Sequence, residues 1–281
     1  MSQIAIAGLQ LELKHGDNLA LIKKEISSAM LRFPWLKMIV IGELAAFGSN
    51  KDLAQTLPGP AENFFSEIAR EHSIWLIPGS LYEKRDGKIF NTTPVINPNG
   101  EVINRYSKMF PWTPYEVGVE SGNNFVVFDV PDVGRFGVSI CYDMWFPETT
   151  RTLACLGAEI IIHPTMTNTI DRDAELAIMR SSAVTNQCYV VDVNVAGDVG
   201  NGRSIVAGPG GEIIYQSGHG RDIFPLELDL SEVRNSRERG WNGLGQPLKS
   251  FRDNEIKFPV YNDEKTKKEF LDSLGPLEKP E

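Results

Sequence analysis

Strand-like and helix-like segments alternate along nearly the whole chain, and that interleaving limits the fold more than any other feature of the sequence. Residues 3–11 alternate in polarity as a strand does, residues 18–31 space their apolar side chains as an amphipathic helix, and residues 36–42 form an apolar run that stops at Glu43. A helical pattern follows at 62–71, then a strand at 73–79 closing on Pro78 and Gly79. Segments 91–97 and 101–106 flank Pro98-Asn99-Gly100, where the Asn-Gly pair accepts the positive φ of a hairpin turn. The alternation continues with strand 136–140, helix 148–156 stopped by Gly157, strand 159–163, helix 172–186 and strand 188–194. A second hairpin, 203–207 with 212–216, turns at Gly208-Pro209-Gly210-Gly211. Strands interleaved with helices and hairpins predict mixed sheets with helices packed outside them, which excludes a helical bundle and an all-β sandwich.

At 281 residues and 42% hydrophobic content, the chain has material for one large core. Residues 1–255 are expected to form one domain and 256–281 a C-terminal arm or tail; apolar density falls from Ser231 onward, and 262–269 is mostly charge. Trp241, Leu244, Leu248 and Phe251 cluster in that polar stretch and are expected to cover a partner subunit, giving a homodimer or higher homo-oligomer. Three cysteines without a CxxC motif or a Cys/His cluster point away from a disulfide framework and a structural zinc site, so a reducing compartment, the cytoplasm, is expected. The N-terminus lacks a basic leader, and no run approaches the roughly 18 apolar residues of a membrane span. A net charge of -9 and the lack of a basic patch argue against nucleic acid as a partner. The histidines show no HxH or HExxH spacing, and the glycine-rich stretches 197–202 and 208–211 lack the Lys-Ser/Thr ending of a phosphate loop, so they are turns and no metal or cofactor is expected.

Cys141 stands where the apolar strand 136–140 stops and a helix is about to begin, with Pro147 suited to the helix's first turn. Loops at the C-terminal ends of such strands carry chemistry, and nearby helix amides are expected to favour the thiolate. Free cysteine is nevertheless among the most buried residue types, so Cys141 needs partners to count as a nucleophile. Glu43 follows the apolar run 36–42, and Lys108 follows the second arm of the first hairpin. Alone, each reads as a solvated surface charge; strand ends can converge, and together with Cys141 the two make a candidate site.

These positions resemble the nitrilase superfamily of carbon–nitrogen hydrolases. Gly42-Glu43 is similar to the family's Glu motif, Tyr106-Ser107-Lys108-Met109 to its Lys motif and the stretch from Ile140 to Glu148 to its Cys motif; further likeness runs through 157–161, 180–190 and 194–197. Residues 110–116, ending in Glu116 eight positions beyond Lys108, resemble the aliphatic amidase and formamidase branch. The resemblance implies an αββα sandwich of two mixed sheets with outer helices, a Glu43, Lys108 and Cys141 triad, and Trp112, Tyr142 and His163 on the substrate-binding surface. It implies a cysteine amidohydrolase that cleaves a small linear amide through a thioester, releasing ammonia and a carboxylic acid; the alternatives are a nitrilase or N-carbamoyl amine hydrolase with the same triad, or a catalytically silent binding member.

The chemistry follows from the groups. Glu43, its pKa raised by desolvation, can take the thiol proton during attack, and the Lys108 ammonium with the Tyr142 N–H can stabilise the oxyanion. Glu116 is expected to hold the substrate amide or to orient Lys108. Cys155 and Cys188, without charged companions in the pattern, are expected in the core. His163 either lines the pocket or is a packed, hydrogen-bonded structural residue.

Overall fold

The computed structural model describes residues 2–279. Two sheets of mixed direction, of seven and six strands, are each built around three parallel strands. In the first sheet Gln3–Gln10, Met38–Ile41 and Trp75–Ile77 run parallel, with Asp222–Asp229 antiparallel on one side and Lys88–Ile96 on the other, the latter paired with Leu81–Arg85 and Val102–Ser107. In the second, Gly134–Val138, Ile160–Thr165 and Tyr189–Asn194 are parallel, flanked by Val126–Val130 and by the hairpin Ile205–Ala207 and Ile213–Gln216.

Period-two alternation sorts the side chains. Met38 and Val40 face the second sheet while Ile39 and Ile41 face outward; Ile160 and Ile162 point inward while Ile161 points out. The inward set forms the core between the sheets. The outward set is covered by helices: Leu19–Arg32 and Pro60–His72 lay Ile22, Ile26, Phe65 and Ile68 on the first sheet, and Pro147–Cys155 and Arg172–Asn186 lay Leu153, Leu176 and Met179 on the second. Each such fully buried side chain contributes about 1.5–3 kcal/mol. The result is the expected αββα sandwich.

The strands Leu81–Arg85, Val126–Val130 and Asp222–Asp229 are additions to the sequence reading. Cys155 departs from it. It closes the helix Pro147–Cys155, whose buried face is Thr149, Thr150, Leu153 and Ala154, so the helical turn carries it outward and it is exposed. Cys188 is buried as expected. The polar stretch after Ser231 begins with the helix Leu230–Arg239, which belongs to the body: Leu230 and Val233 join the inter-sheet core, Arg234 pairs with Glu159 at 2.7 Å, and Arg237 donates to the carbonyls of Ala158 and Gln187. Long arginines crossing to carbonyls anchor it, a contact that a hydrophobicity count misses. Trp241, Leu244 and Phe251 beyond it are exposed. Among the described residues no helix is long and apolar enough to cross a membrane.

Candidate active site

Strand direction explains why the three expected site residues meet. Met38–Ile41 and Trp75–Ile77 are parallel; Lys88–Ile96 runs against them and Val102–Ser107 runs against Lys88–Ile96, so the strand before Lys108 ends on the same side as the strand before Glu43. The parallel strands Gly134–Val138 and Ile160–Thr165 deliver Cys141 and Met166 to that end from the other sheet. Gly79, at φ +76, lets the next strand's loop pass against the Gly42 carbonyl; a Cβ there would collide with that oxygen.

Glu43 and Lys108 are both buried. Lys108 Nζ lies 2.9 Å from Glu43 Oε1 and 2.7 Å from Glu116 Oε2. Asn91 Nδ2 donates to Glu43 Oε1 at 2.8 Å, and the Met166 N–H donates to Oε2 at 2.9 Å, so each carboxylate oxygen is fixed in direction. Glu116 Oε2 also accepts the Trp112 N–H at 2.6 Å, while its Oε1 has only a long 3.5 Å contact from Asn91 and keeps acceptor capacity for a substrate. Cys141 opens the 3-10 turn Cys141–Trp145 with φ +48, a left-handed conformation uncommon for a residue with a Cβ, and this sharp turn directs its thiol into the space beside Glu43 and Lys108. The first amides of such a turn have no partner within it, which leaves the Tyr142 N–H available for an oxyanion.

Burial dominates the electrostatics. It pushes Glu43 above the ordinary carboxylate range against the pull of Lys108. It also pushes the Cys141 thiol well up, and the Glu43 carboxylate adds to the shift. The expected thiolate-favouring effect of the helix amides is therefore overturned: the thiol is neutral at rest, because a buried anion beside a carboxylate costs more than those dipoles return. Lys108 is held charged. Burial opposes its charge, but Glu43, Cys141 and Glu116 outweigh it. A neutral thiol, a buried carboxylate raised towards neutrality and a fixed ammonium suit proton transfer concerted with attack.

A cavity of about 280 Å³ opens on these groups, bordered also by Trp112, Tyr115, Tyr82, Lys51 and Met166. Trp112 stacks on Tyr115 with ring centroids 4.2 Å apart. Tyr142 sits with Cys141 and Trp112 at a narrow extension of this space. His163 lies behind the cysteine, against the Cys141 backbone, and does not border the cavity. It shares the outward parity of Ile161 on its strand, is fully buried, and its Nδ1 lies 2.8 Å from Ser139 Oγ. Burial lowers its pKa to about 4, so it is a neutral structural residue beside the Arg172–Asp192 ion pair, and its place on the substrate-binding surface is corrected by strand parity.

Two residues absent from the sequence reading hold the site together. Asn91, read there only as part of a strand, orients Glu43. Asp143 ties the cysteine turn to the lysine loop: it accepts from Tyr106 Oη at 2.6 Å, from the Ile140 N–H at 2.9 Å, and from the Met109 and Phe110 N–H groups at 3.1 and 2.8 Å. Burial pushes it up to about 6 while these donors favour its charged form. A lone acid in the aromatic stretch Tyr142–Phe146 was its only signal. Asp143→Asn puts an NH₂ against these donors; it is expected to cost about 1–3 kcal/mol of stability and about 10²-fold in kcat/KM through misplacement of Cys141 and Lys108. Denaturant titration and steady-state kinetics measure the two, and an unchanged kcat/KM would remove Asp143 from its positioning role.

The carbon–nitrogen hydrolase family model matches residues 3–238, and the chain belongs to that family, whose members are hydrolases of carbon–nitrogen bonds. Its relatives include proteins named as amidases. The chain is 32% identical to the human omega-amidase NIT2 over 203 residues, 67% of this chain and 73% of that protein. It is 32% identical to a formamidase of Bacillus cereus over 183 residues, covering 63% and 55%. Among solved structures, Saccharomyces cerevisiae Nit3 of the nitrilase superfamily superposes with a TM-score of 0.78 at 30% identity, over 84% of this chain and 94% of that one.

Proposed function

We propose that this protein is a cysteine amidohydrolase that cleaves the C–N bond of a small linear carboxamide. The observation that carries the reading is the meeting of Glu43, Lys108, Glu116 and Cys141 at one small cavity. Cys141 Sγ attacks the amide carbon as Glu43 takes the thiol proton, and the carbonyl oxygen gathers negative charge against the Lys108 ammonium and the Tyr142 N–H. Glu43 returns the proton to the amide nitrogen, the C–N bond breaks and ammonia leaves a thioester. Water, deprotonated by Glu43, attacks that thioester and frees the carboxylic acid and the thiol. The same Glu43–Lys108–Cys141 set serves a nitrilase or an N-carbamoyl amine hydrolase, and a silent binding member has no chemical use for it.

Glu116 favours the amide. An amide NH₂ needs acceptors in a dry site, where an unpaired donor costs about 1–3 kcal/mol, and Glu116 Oε1 offers one; a nitrile has no N–H to donate. Ammonia release from matched amide and nitrile pairs tests this. The amide is expected to be much the faster, and Glu116→Gln is expected to lower amide turnover roughly 10²-fold with a smaller effect on the nitrile. A faster nitrile, or an equal loss on both, would transfer the assignment to the nitrilase alternative.

A second reading, an amide with a distal carboxylate, is favoured by Lys51 at the cavity border and agrees with the omega-amidase named among the relatives. The ω-amide of a short dicarboxylic acid outpacing the alkyl amide of equal length would favour it.

A further inference from the structure

The cavity wall carries a hydroxyl that the fold does not use. Tyr82, in the strand Leu81–Arg85, is 4% exposed; its ring packs with Leu44, Ala54 and Val119, and it borders the cavity beside the reacting groups. A phenylalanine would fill that packing equally well. The Tyr82 hydroxyl has no hydrogen-bond partner among the described side chains, and it is not among the polar atoms sealed inside the packing, so it opens on the cavity. Of the other polar groups at the reacting end, Glu43 is engaged by Lys108, Asn91 and Met166, and Lys108 by Glu43 and Glu116, while Glu116 Oε1 keeps acceptor capacity and Lys51 at the border donates to the Val117 carbonyl.

The carboxamide itself makes no demand on this hydroxyl. Its oxygen is served by Lys108 and the Tyr142 N–H, and its NH₂ by Glu116 Oε1. Burial and the nearby Glu116 and Glu43 carboxylates push the phenol up, so it remains an un-ionised O–H donor. A plain alkyl chain filling the cavity would seal that donor without an acceptor. An oxygen on the chain would pair with it, and sites built around such a bond discriminate strongly against analogues that lack the partner.

We propose that Tyr82 is a specificity-determining residue whose hydroxyl donates to an uncharged oxygen on the acyl chain, so that the preferred substrates are short hydroxy- or oxo-substituted carboxamides. This rests on the amidase reading. The bond is present in the bound ground state, so its loss raises KM more than it lowers kcat.

The test compares butyramide with its 2-, 3- and 4-hydroxy derivatives by kcat/KM in the wild type and in Tyr82→Phe, and by calorimetric Kd in Cys141→Ala and Cys141→Ala/Tyr82→Phe. The best hydroxyamide is expected to be favoured over butyramide by roughly tenfold or more in wild-type kcat/KM and in Cys141→Ala affinity, and the ratio to fall close to one without the hydroxyl. A ratio near one in the Tyr82 proteins, or one that survives Tyr82→Phe, overturns the proposal. A wild type inert on all the amides would overturn the amidase reading, while the affinity ratio still decides Tyr82. Should Tyr82→Phe not fold, the ratios in the wild type and Cys141→Ala alone decide.

Discussion

Cys141→Ala is expected to release ammonia from its best amide at least about 10⁴-fold more slowly than the wild type, because no other group can form the thioester. Cys155→Ala and Cys188→Ala serve as controls and keep most of the activity. Cys155 is exposed at the end of its helix, and Cys188 is buried under the outer helices of the second sheet with its thiol pushed up to about 12 by burial. Replacing Cys188 removes a buried sulfur and costs of order 1 kcal/mol, so its protein is checked for folding before it is assayed. Intact-mass measurement after rapid quenching is expected to show an acyl adduct on every protein except Cys141→Ala. Substantial turnover by folded Cys141→Ala would end the triad reading.

Glu43→Gln carries the second large effect, a loss in kcat of about 10²–10⁴-fold, together with a change in pH dependence. Glu43 acts as a base only when deprotonated. Burial has raised its pKa, so the wild-type rate is expected to fall, as pH drops, at a higher pH than an ordinary carboxylate would give. The thiol and Lys108 are shifted upward and do not titrate in that range, whereas Asp143, at about 6, does, so it is the loss of the acid limb in Glu43→Gln that assigns the limb to Glu43. Glutamine cannot take a proton from the thiol. Its NH₂ would also confront either the Asn91 and Lys108 donors or the Met166 N–H, so a thermal melt accompanies the kinetics. A Glu43→Gln enzyme with undiminished kcat, or one that keeps the wild-type acid limb, would show that the base lies elsewhere.

Two features of the site act through geometry more than through chemistry. Asp143 binds four donors drawn from both the cysteine turn and the lysine loop, so the nucleophile and the cation move as one body. Asn91 and the Met166 N–H aim the two oxygens of Glu43 in different directions, one to Lys108 and one to the other sheet. Preorganisation of this kind keeps reorganisation out of the reaction barrier.

The sequence by itself determined which residues stand at strand ends and which faces of the elements are apolar. The run 36–42, the hairpin at Pro98-Asn99-Gly100 and the strand before Cys141 are local patterns fixed by side-chain period and turn chemistry, and the motif resemblance joined Glu43, Lys108, Cys141 and Glu116 to them. Tertiary structure alone decided the rest. Tyr82 reached the cavity because its strand pairs beside Lys88–Ile96, and Asp143 gained its role from a loop that precedes it by more than thirty residues. His163 lies off the cavity wall, behind the Cys141 backbone, because its strand turns it outward, and Cys155 left the core because it falls one residue past its helix's buried face. The charge states followed last: desolvation depends on what covers a group from every side, so the neutral Cys141 thiol and the raised Glu43 exist only once two sheets have closed over them.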